Sequence, residues 1–405
     1  MSGTRLYLFD DARARNWEPF ALTRPVGELL FGCRTLRARA EHVLGLECHG
    51  HVSASALVTF EEEGAAPGVA LDQIARDRPV ILLSSRVVPD LQNVDLPNDP
   101  ARITVEGAPA GWIVPPGAEL PSEPSILDPG SDAGDALELE LDGMMLERPW
   151  DLVARNGAQV RTDAPTMPSL GVVPSGVVVV GDGTISLGEG AEVEPGVTFD
   201  TRKGPIVLDR CVRVEGPARL VGPLFIGPGT MVAGGTISAS SIGPSCRVRG
   251  EVVDSVLLGY VNKAHDGYLG HALVGRWVNL GALTTNSDLK NNYGTVSVLT
   301  PDGNLDTGQI KIGCFLGDHV KTGIGTLLNT GTVLGAGSNI FGGAMPSTSV
   351  PPFSWGSGSN LTEYRLDKFL ETAERAMARR DVTLAAGMRR VLEAAWSTTA
   401  GRRSE

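Results

Sequence analysis

Between residues 171 and 343 the aliphatic positions recur every six residues. Leu316, Thr322, Leu328, Leu334 and Ile340 keep this step, and Gly317, Gly323 and Gly335 follow three of them directly. The same step joins Leu187, Val193 and Phe199, then Leu208, Val214 and Leu220, Ile226 and Val232, and Ile242 and Val248. A period of six fits neither the 3.6-residue helix nor two-residue alternation, but it fits a triangular coil with a short strand on each face and a tight turn at each corner. One aliphatic side chain per face points inward, glycine relieves crowding at the corners, and stacked coils bury a narrow continuous core. The register slips around His265 to Tyr268, and residues 288–311 interrupt the coil as a long structureless excursion of the kind that covers a site.

Two further patterns flank the repeat. After Pro351-Pro352, Leu361, Tyr364, Leu366, Phe369, Leu370 and Ala373 fall at helical spacing, and Leu384 to Trp396 is again amphipathic, which predicts helices that cap the open end of the coil. Before the repeat, Leu6–Phe9 and Val80–Leu83 read as buried strands and Val26–Gly45 contains an Arg-rich helix, so an α/β layer is expected. Residues 121–135, rich in Pro, Ser, Gly and Asp, read as a loop. The domains expected are 1–156, an α/β unit; 157–352, the coil; and 353–405, a helical cap.

Composition agrees with a coil that needs few rings, because 51 glycines and 27 prolines accompany only 5% aromatic residues in a chain of 405. The net charge of −12, with no block of basic residues to offset it, argues against nucleic acid or an anionic bilayer as partner. Small polyanionic substrates stay open, since a few local cations serve them. Apolar runs such as Val177–Val180 are far shorter than the ~20 residues of a membrane span. Met1–Asp10 does not read as a signal peptide, so a cytoplasmic location is expected. Five cysteines without a C-x-x-C pair suggest buried structural thiols and neither a disulfide framework nor a thiolate zinc site. No P-loop, dinucleotide, nucleophile-elbow or H-E-x-x-H string occurs.

Asn262-Lys263-Ala264-His265-Asp266-Gly267-Tyr268-Leu269-Gly270, followed by Val278-Asn279-Leu280-Gly281-Ala282 and by residues 313–323, resembles the active region of GlmU-type glucosamine-1-phosphate N-acetyltransferases. The resemblance runs through the repeat and the helical tail, and it implies a left-handed parallel β-helix of hexapeptide repeats with C-terminal cap helices, acting as a homotrimer. It implies that His265 is the base that takes a proton from the substrate amine as the amine attacks the thioester of acetyl-CoA. An imidazole, with an ordinary pKa near ~6.5, suits that task near neutral pH. By the same resemblance Tyr268 and Asn279 hold the sugar phosphate, Lys290 is its phosphate partner from the inserted segment, and Ala282, Ile324 and Gly342 line the groove for acetyl-CoA. Asn279 reads equally as a rung of an asparagine ladder and Lys290 as a solvated loop charge. Asp288 stands where the relatives have Asn in contact with substrate, and an anion there would repel a phosphate.

The first unit resembles a sugar-1-phosphate nucleotidyltransferase in part. Pro149-Trp150-Asp151-Leu152 matches that family's exit segment and Thr23-Arg24-Pro25 the region after its nucleotide loop, which nominates Arg24 for nucleotide binding. Asp10-Asp11-Ala12-Arg13-Ala14-Arg15 replaces the Gly-rich loop, a poor cradle for a triphosphate. The function expected is therefore acetylation of an amino-sugar 1-phosphate by acetyl-CoA on the way to a UDP-linked amino sugar. UTP and Mg²⁺ enter only if the first unit is active. Two other readings are an inactive trimeric scaffold and a zinc-dependent hydratase using His265, His271 and His319. No metal site is otherwise indicated.

Overall fold

The computed structural model describes residues 3–92, 94, 96–97, 99–131 and 137–403. It divides into two compact units, one of Met1–Leu29, Arg34–Pro149 and Leu384–Ala395, the other of Leu30–Cys33, Trp150–Thr383 and Trp396–Glu405.

In the first unit a six-stranded sheet runs in the order Cys48–Val52, Arg5–Phe9, Val80–Ser84, Ala108–Val114, Ala101–Val105, Leu137–Glu140. The first three strands are parallel, and Ala108–Val114 is antiparallel to both of its neighbours. Apolar residues run unbroken along the central strands because both faces are covered. Leu6, Leu8, Ile81 and Leu83 pack into one layer, while Tyr7, Phe9, Val80 and Leu82 pack into the other. The strands expected at Leu6–Phe9 and Val80–Leu83 are present. The helix expected within Val26–Gly45 begins only at Leu36, where the Thr35 hydroxyl accepts from the Ala38 N–H, and it ends at Leu44 before Gly45 in the left-handed region. Val26–Glu28 forms a separate 3₁₀ turn. The loop expected over 121–135 holds a short helix, Glu123–Leu127, because Ser122 caps it and Pro124 sits in its first turn; residues 132–135 of that expectation lie outside the described residues.

The second unit is a parallel β-solenoid of about ten turns followed by helix. Its three faces stack into sheets of six, nine and ten strands. Arg213, Met231, Arg247, Asn262 and Asn279 are successive neighbours along the ten-stranded sheet, so a coil here takes 15 to 18 residues. The hexad is thus kept on the faces and adjusted at the corners. Leu316, Leu328, Leu334 and Ile340, like the earlier aliphatics of the repeat, lie in the continuous interior core, with Thr322 5% exposed beside them. Near His265 the irregularity is confined to a corner, since Tyr268–Gly270 remains in register with Glu251–Val253.

The excursion is not structureless. Ser297–Thr300 and Gly303–Asp306 form an antiparallel hairpin anchored by buried Val296 and Val298, after which the coil resumes with Leu273 opposite Phe315. Local pairing supplies order that a six-residue period cannot reveal. At the end of the coil, Leu361 belongs to strand Asn360–Glu363, paired with Ser354–Ser357, so the helix starts later than its spacing predicts, at Leu366, and runs to Ala378. Its Phe369 packs edge-to-face on Phe353 at 5.0 Å. The second tail helix is Ala386–Thr398. No helix of the described residues is long and apolar enough to cross a membrane. Four of the cysteines are buried as expected, but Cys211 is exposed on a coil corner at φ 54°.

Candidate active site

His265 lies at a corner directly after strand Asn262–Lys263, with its side chain exposed. The next coil stacks in register, Asn262 against Asn279, and the Leu283 N–H donates to the Asp266 carbonyl, so Ala282 stands on the same corner one coil further on. Leu280, Thr322 and Ile340 are then register neighbours in turn, which places Ile324 and Gly342 two residues beyond the strand partners on that corner. His265, Ala282, Ile324 and Gly342 therefore form one column parallel to the coil axis. Its surface is apolar and open, with Leu283 58% and Ile324 75% exposed.

Lys263 occupies an inward position of its strand, where neighbouring coils place Val248 and Leu280. Its ammonium donates to the carbonyl oxygens of His265 at 2.7 Å and Arg249 at 2.8 Å, which ties the corner that carries His265 to the coil before it. Burial lowers the Lys263 pKa to about 8. No apolar period signals such a residue; a lysine in phase with inward aliphatics is the only trace in the sequence.

Tyr268 and Asp288 are brought together. The Tyr268 hydroxyl donates to Asp288 Oδ2 at 2.7 Å, and Nδ1 of His271 meets the same oxygen at 2.7 Å. His271 Nε2 lies 3.7 Å from Asp254 Oδ2. The His271 contact, assisted by the Tyr268 hydroxyl and opposed by desolvation, holds the Asp288 carboxyl below its ordinary range, while burial and this carboxylate raise the Tyr268 phenol. The negative charge at Asp288 is thus engaged by two side chains of its own chain. His271 thus stands between Asp288 and Asp254, and the six-residue step from His265 to His271 is the sequence signal that it shares the coil.

Asn279 lies on another face. Its Oδ1 accepts from Asn262 Nδ2 at 2.8 Å, a two-rung asparagine ladder. Lys290 Nζ donates to the Thr295 carbonyl at 2.5 Å within the excursion. The three histidines weighed as a zinc set have separate environments: His265 is exposed at its corner, His271 is held by Asp288, and His319 is buried beside Trp277 and Phe369.

In the first unit the segment that replaces a Gly-rich loop is folded shut. Asp11 caps the helix Ala12–Arg15 and holds the Arg86 guanidinium through two nitrogens, at 2.9 and 2.7 Å. Asp10 accepts from the Ser53 and Ser85 hydroxyls at 2.7 and 2.5 Å and from the Val26 N–H at 3.3 Å. Burial, opposed by these bonds, raises its carboxyl pKa. With their oxygens engaged this way, Asp10 and Asp11 do not fit a Mg²⁺ ion. Arg24 is 1% exposed and paired with Glu62 at 2.9 Å. Beside this segment, past the end of strand Cys48–Val52, a largely apolar cavity of about 600 Å³ is lined by residues such as Val52, Val69, Leu71 and Leu120, with Ser53, Ser55, Asp72, Arg76 and Glu123 as its polar members.

Residues 6–169 match the family model for sugar nucleotidyl transferases. Over 100 residues, 25% of this chain and 25% of the relative, the chain is 32% identical to a bifunctional sugar-1-phosphate nucleotidylyltransferase/acetyltransferase of Sulfurisphaera tokodaii. Over 205 residues, 50% of this chain and 44% of the relative, it is 26% identical to the bifunctional protein GlmU of Methanococcus vannielii. The matches thus span less than half the length of either relative.

Proposed function

With a GlmU-like family supported by these matches, we propose that the chain is an acetyl-CoA-dependent N-acetyltransferase acting on an amino-sugar 1-phosphate, glucosamine 1-phosphate first. The observation that carries this reading is the column on which His265 stands in line with Ala282, Ile324 and Gly342. An open apolar corner with small residues on either side fits the extended arm of acetyl-CoA, which when bound supplies the activated acetyl group. His265 removes the proton of the attacking amine and can pass it to the CoA thiolate that leaves as the thioester C–S bond breaks. Lys263 fixes the His265 backbone without taking part in that transfer. In this reading the Tyr268 hydroxyl, whose proton is held by Asp288, accepts from a hydroxyl of the acceptor sugar. Neighbouring coils of a homotrimer would complete such a site, and a soluble cytoplasmic setting suits both substrates.

Nucleotidyl transfer by the first unit is supported by the sugar nucleotidyl transferase match, while the closed Asp10–Arg15 segment speaks for a structural role. Thiol release from acetyl-CoA with glucosamine 1-phosphate, run beside pyrophosphate release with UTP and N-acetylglucosamine 1-phosphate, tests both. Thiol release that falls by a factor of about 10² or more in His265→Ala supports the acetyltransferase; a near-full rate in that variant removes His265 from the mechanism.

A further inference from the structure

On the outer side of the ten-stranded sheet, Arg247, Asn262, Asn279 and Lys321 form one row across four adjacent strands. Arg379 and Arg380, just past helix Leu366–Ala378, close the row into a cavity of about 300 Å³ that also has Tyr260 and Trp277 in its wall. None of the lining residues carries a carboxylate. Arg380 donates to the Ser245 carbonyl at 3.4 Å, and repulsion from Arg247 and Arg379 adds to burial in lowering its pKa. Lys321 Nζ makes a single hydrogen bond among the described residues, long at 3.4 Å, to the Trp277 carbonyl.

Lys263, two strands away in the same sheet, is the internal contrast. Burial lowers both lysines to about 8. The Lys263 ammonium, however, donates to two carbonyl oxygens at 2.7 and 2.8 Å and has Asp266 near it, so its proton is held. Lys321 has neither a close acceptor nor an acid, and it shares its cavity with three guanidinium groups. Like charges gathered this way cost free energy unless negative charge joins them.

A neutral amine is a nucleophile, and carbon dioxide is an electrophile that turns it into an anion. The nitrogen lone pair forms an N–C bond to CO₂, one C=O electron pair moves onto oxygen, and the nitrogen gives a proton to water. Lys–NH₂ and CO₂ thus become Lys–NH–COO⁻ and H⁺, with no change of oxidation state. Guanidinium forks match the two carbamate oxygens as they match a carboxylate. Asn262 Nδ2 is used on Asn279 Oδ1, which leaves Asn279 Nδ2, on the register neighbour of Lys321, as a further donor.

We infer that Lys321 is a site of reversible carbamylation by carbon dioxide, its carbamate held by Arg247, Arg379 and Arg380 so that it braces the end of helix Leu366–Ala378 against the sheet. The inference stands on this cavity and does not depend on the acetyltransferase reading.

Triethyloxonium ion ethylates a carbamate and fixes it as a stable urethane, which peptide mass spectrometry locates. The full chain, incubated with isotopically labelled bicarbonate near pH 8 and then trapped, should carry label on Lys321 at several times the occupancy of Lys263 or of the exposed Lys203. The carbamate carbon resonance should vanish in Lys321→Arg. Arg379 is exposed, so Arg379→Gln keeps the fold, and it should lower the Lys321 occupancy severalfold. At matched ionic strength, bicarbonate should raise the thermal midpoint of the wild type and leave that of Lys321→Arg in place. Label no greater on Lys321 than on Lys203, or occupancy that Arg379→Gln leaves unchanged, overturns the inference, and an equal thermal rise in both proteins overturns the bracing role.

Discussion

Tyr268 donates its hydroxyl to Asp288 at 2.7 Å across twenty residues of sequence, so the start of the excursion is fastened to the coil face that follows His265. His271 grips the same carboxylate oxygen. This arrangement turns the departure at position 288 into an anchor: a carboxylate accepts from both the phenol and the imidazole. Tyr268→Phe is expected to raise KM for glucosamine 1-phosphate more than it lowers kcat, measured by steady-state thiol release. The opposite split would move Tyr268 from positioning the acceptor to stabilising the transition state.

In the first unit Glu28 is buried and accepts from His51 Nε2 at 2.8 Å and from Arg37 Nε at 2.5 Å. Burial alone would raise its carboxyl, but these partners hold it down to about 2. A carboxyl held below its unfolded value stabilises the fold above about pH 4.5, and that contribution is lost as pH falls from there toward 2. Glu28→Gln should therefore cost roughly 1–3 kcal/mol in denaturant unfolding at pH 7, because the half-buried Arg37 keeps only Glu41 as a carboxylate partner and the buried His51 loses its own, and the cost should shrink as the pH approaches 3. An equal cost at pH 7 and pH 3 would refute the charge-based account.

Burial pushes the thiols of Cys48, Cys246 and Cys314 up to about 12, whereas Cys211 is exposed. One equivalent of thiol is expected to react rapidly with a chromogenic disulfide under native conditions, and Cys211→Ser should abolish that phase. Two or more fast thiols would show that the coil opens more readily than its packing implies.

The six-residue recurrence of Leu316, Leu328, Leu334 and Ile340 determined the solenoid by itself, since the stacked interior is built from apolar side chains at that step, with Lys263 and Thr322 as exceptions. Runs such as Val80–Leu83 likewise marked the buried strands of the first unit. The motif around His265 was legible because its spacing is local, and the corner column follows once the coil length is known. What only the tertiary structure decided are the relationships across coils: Lys263 on the His265 carbonyl, Asp288 between Tyr268 and His271, and Arg247 and Lys321 facing Arg379 and Arg380. These residues lie as much as 133 positions apart, as Arg247 and Arg380 do, and the corners that set their register vary from coil to coil. Periodicity reports which side of a strand a residue occupies, whereas charge and hydrogen bonding depend on which residue the stacked coils and the returning helix bring against it.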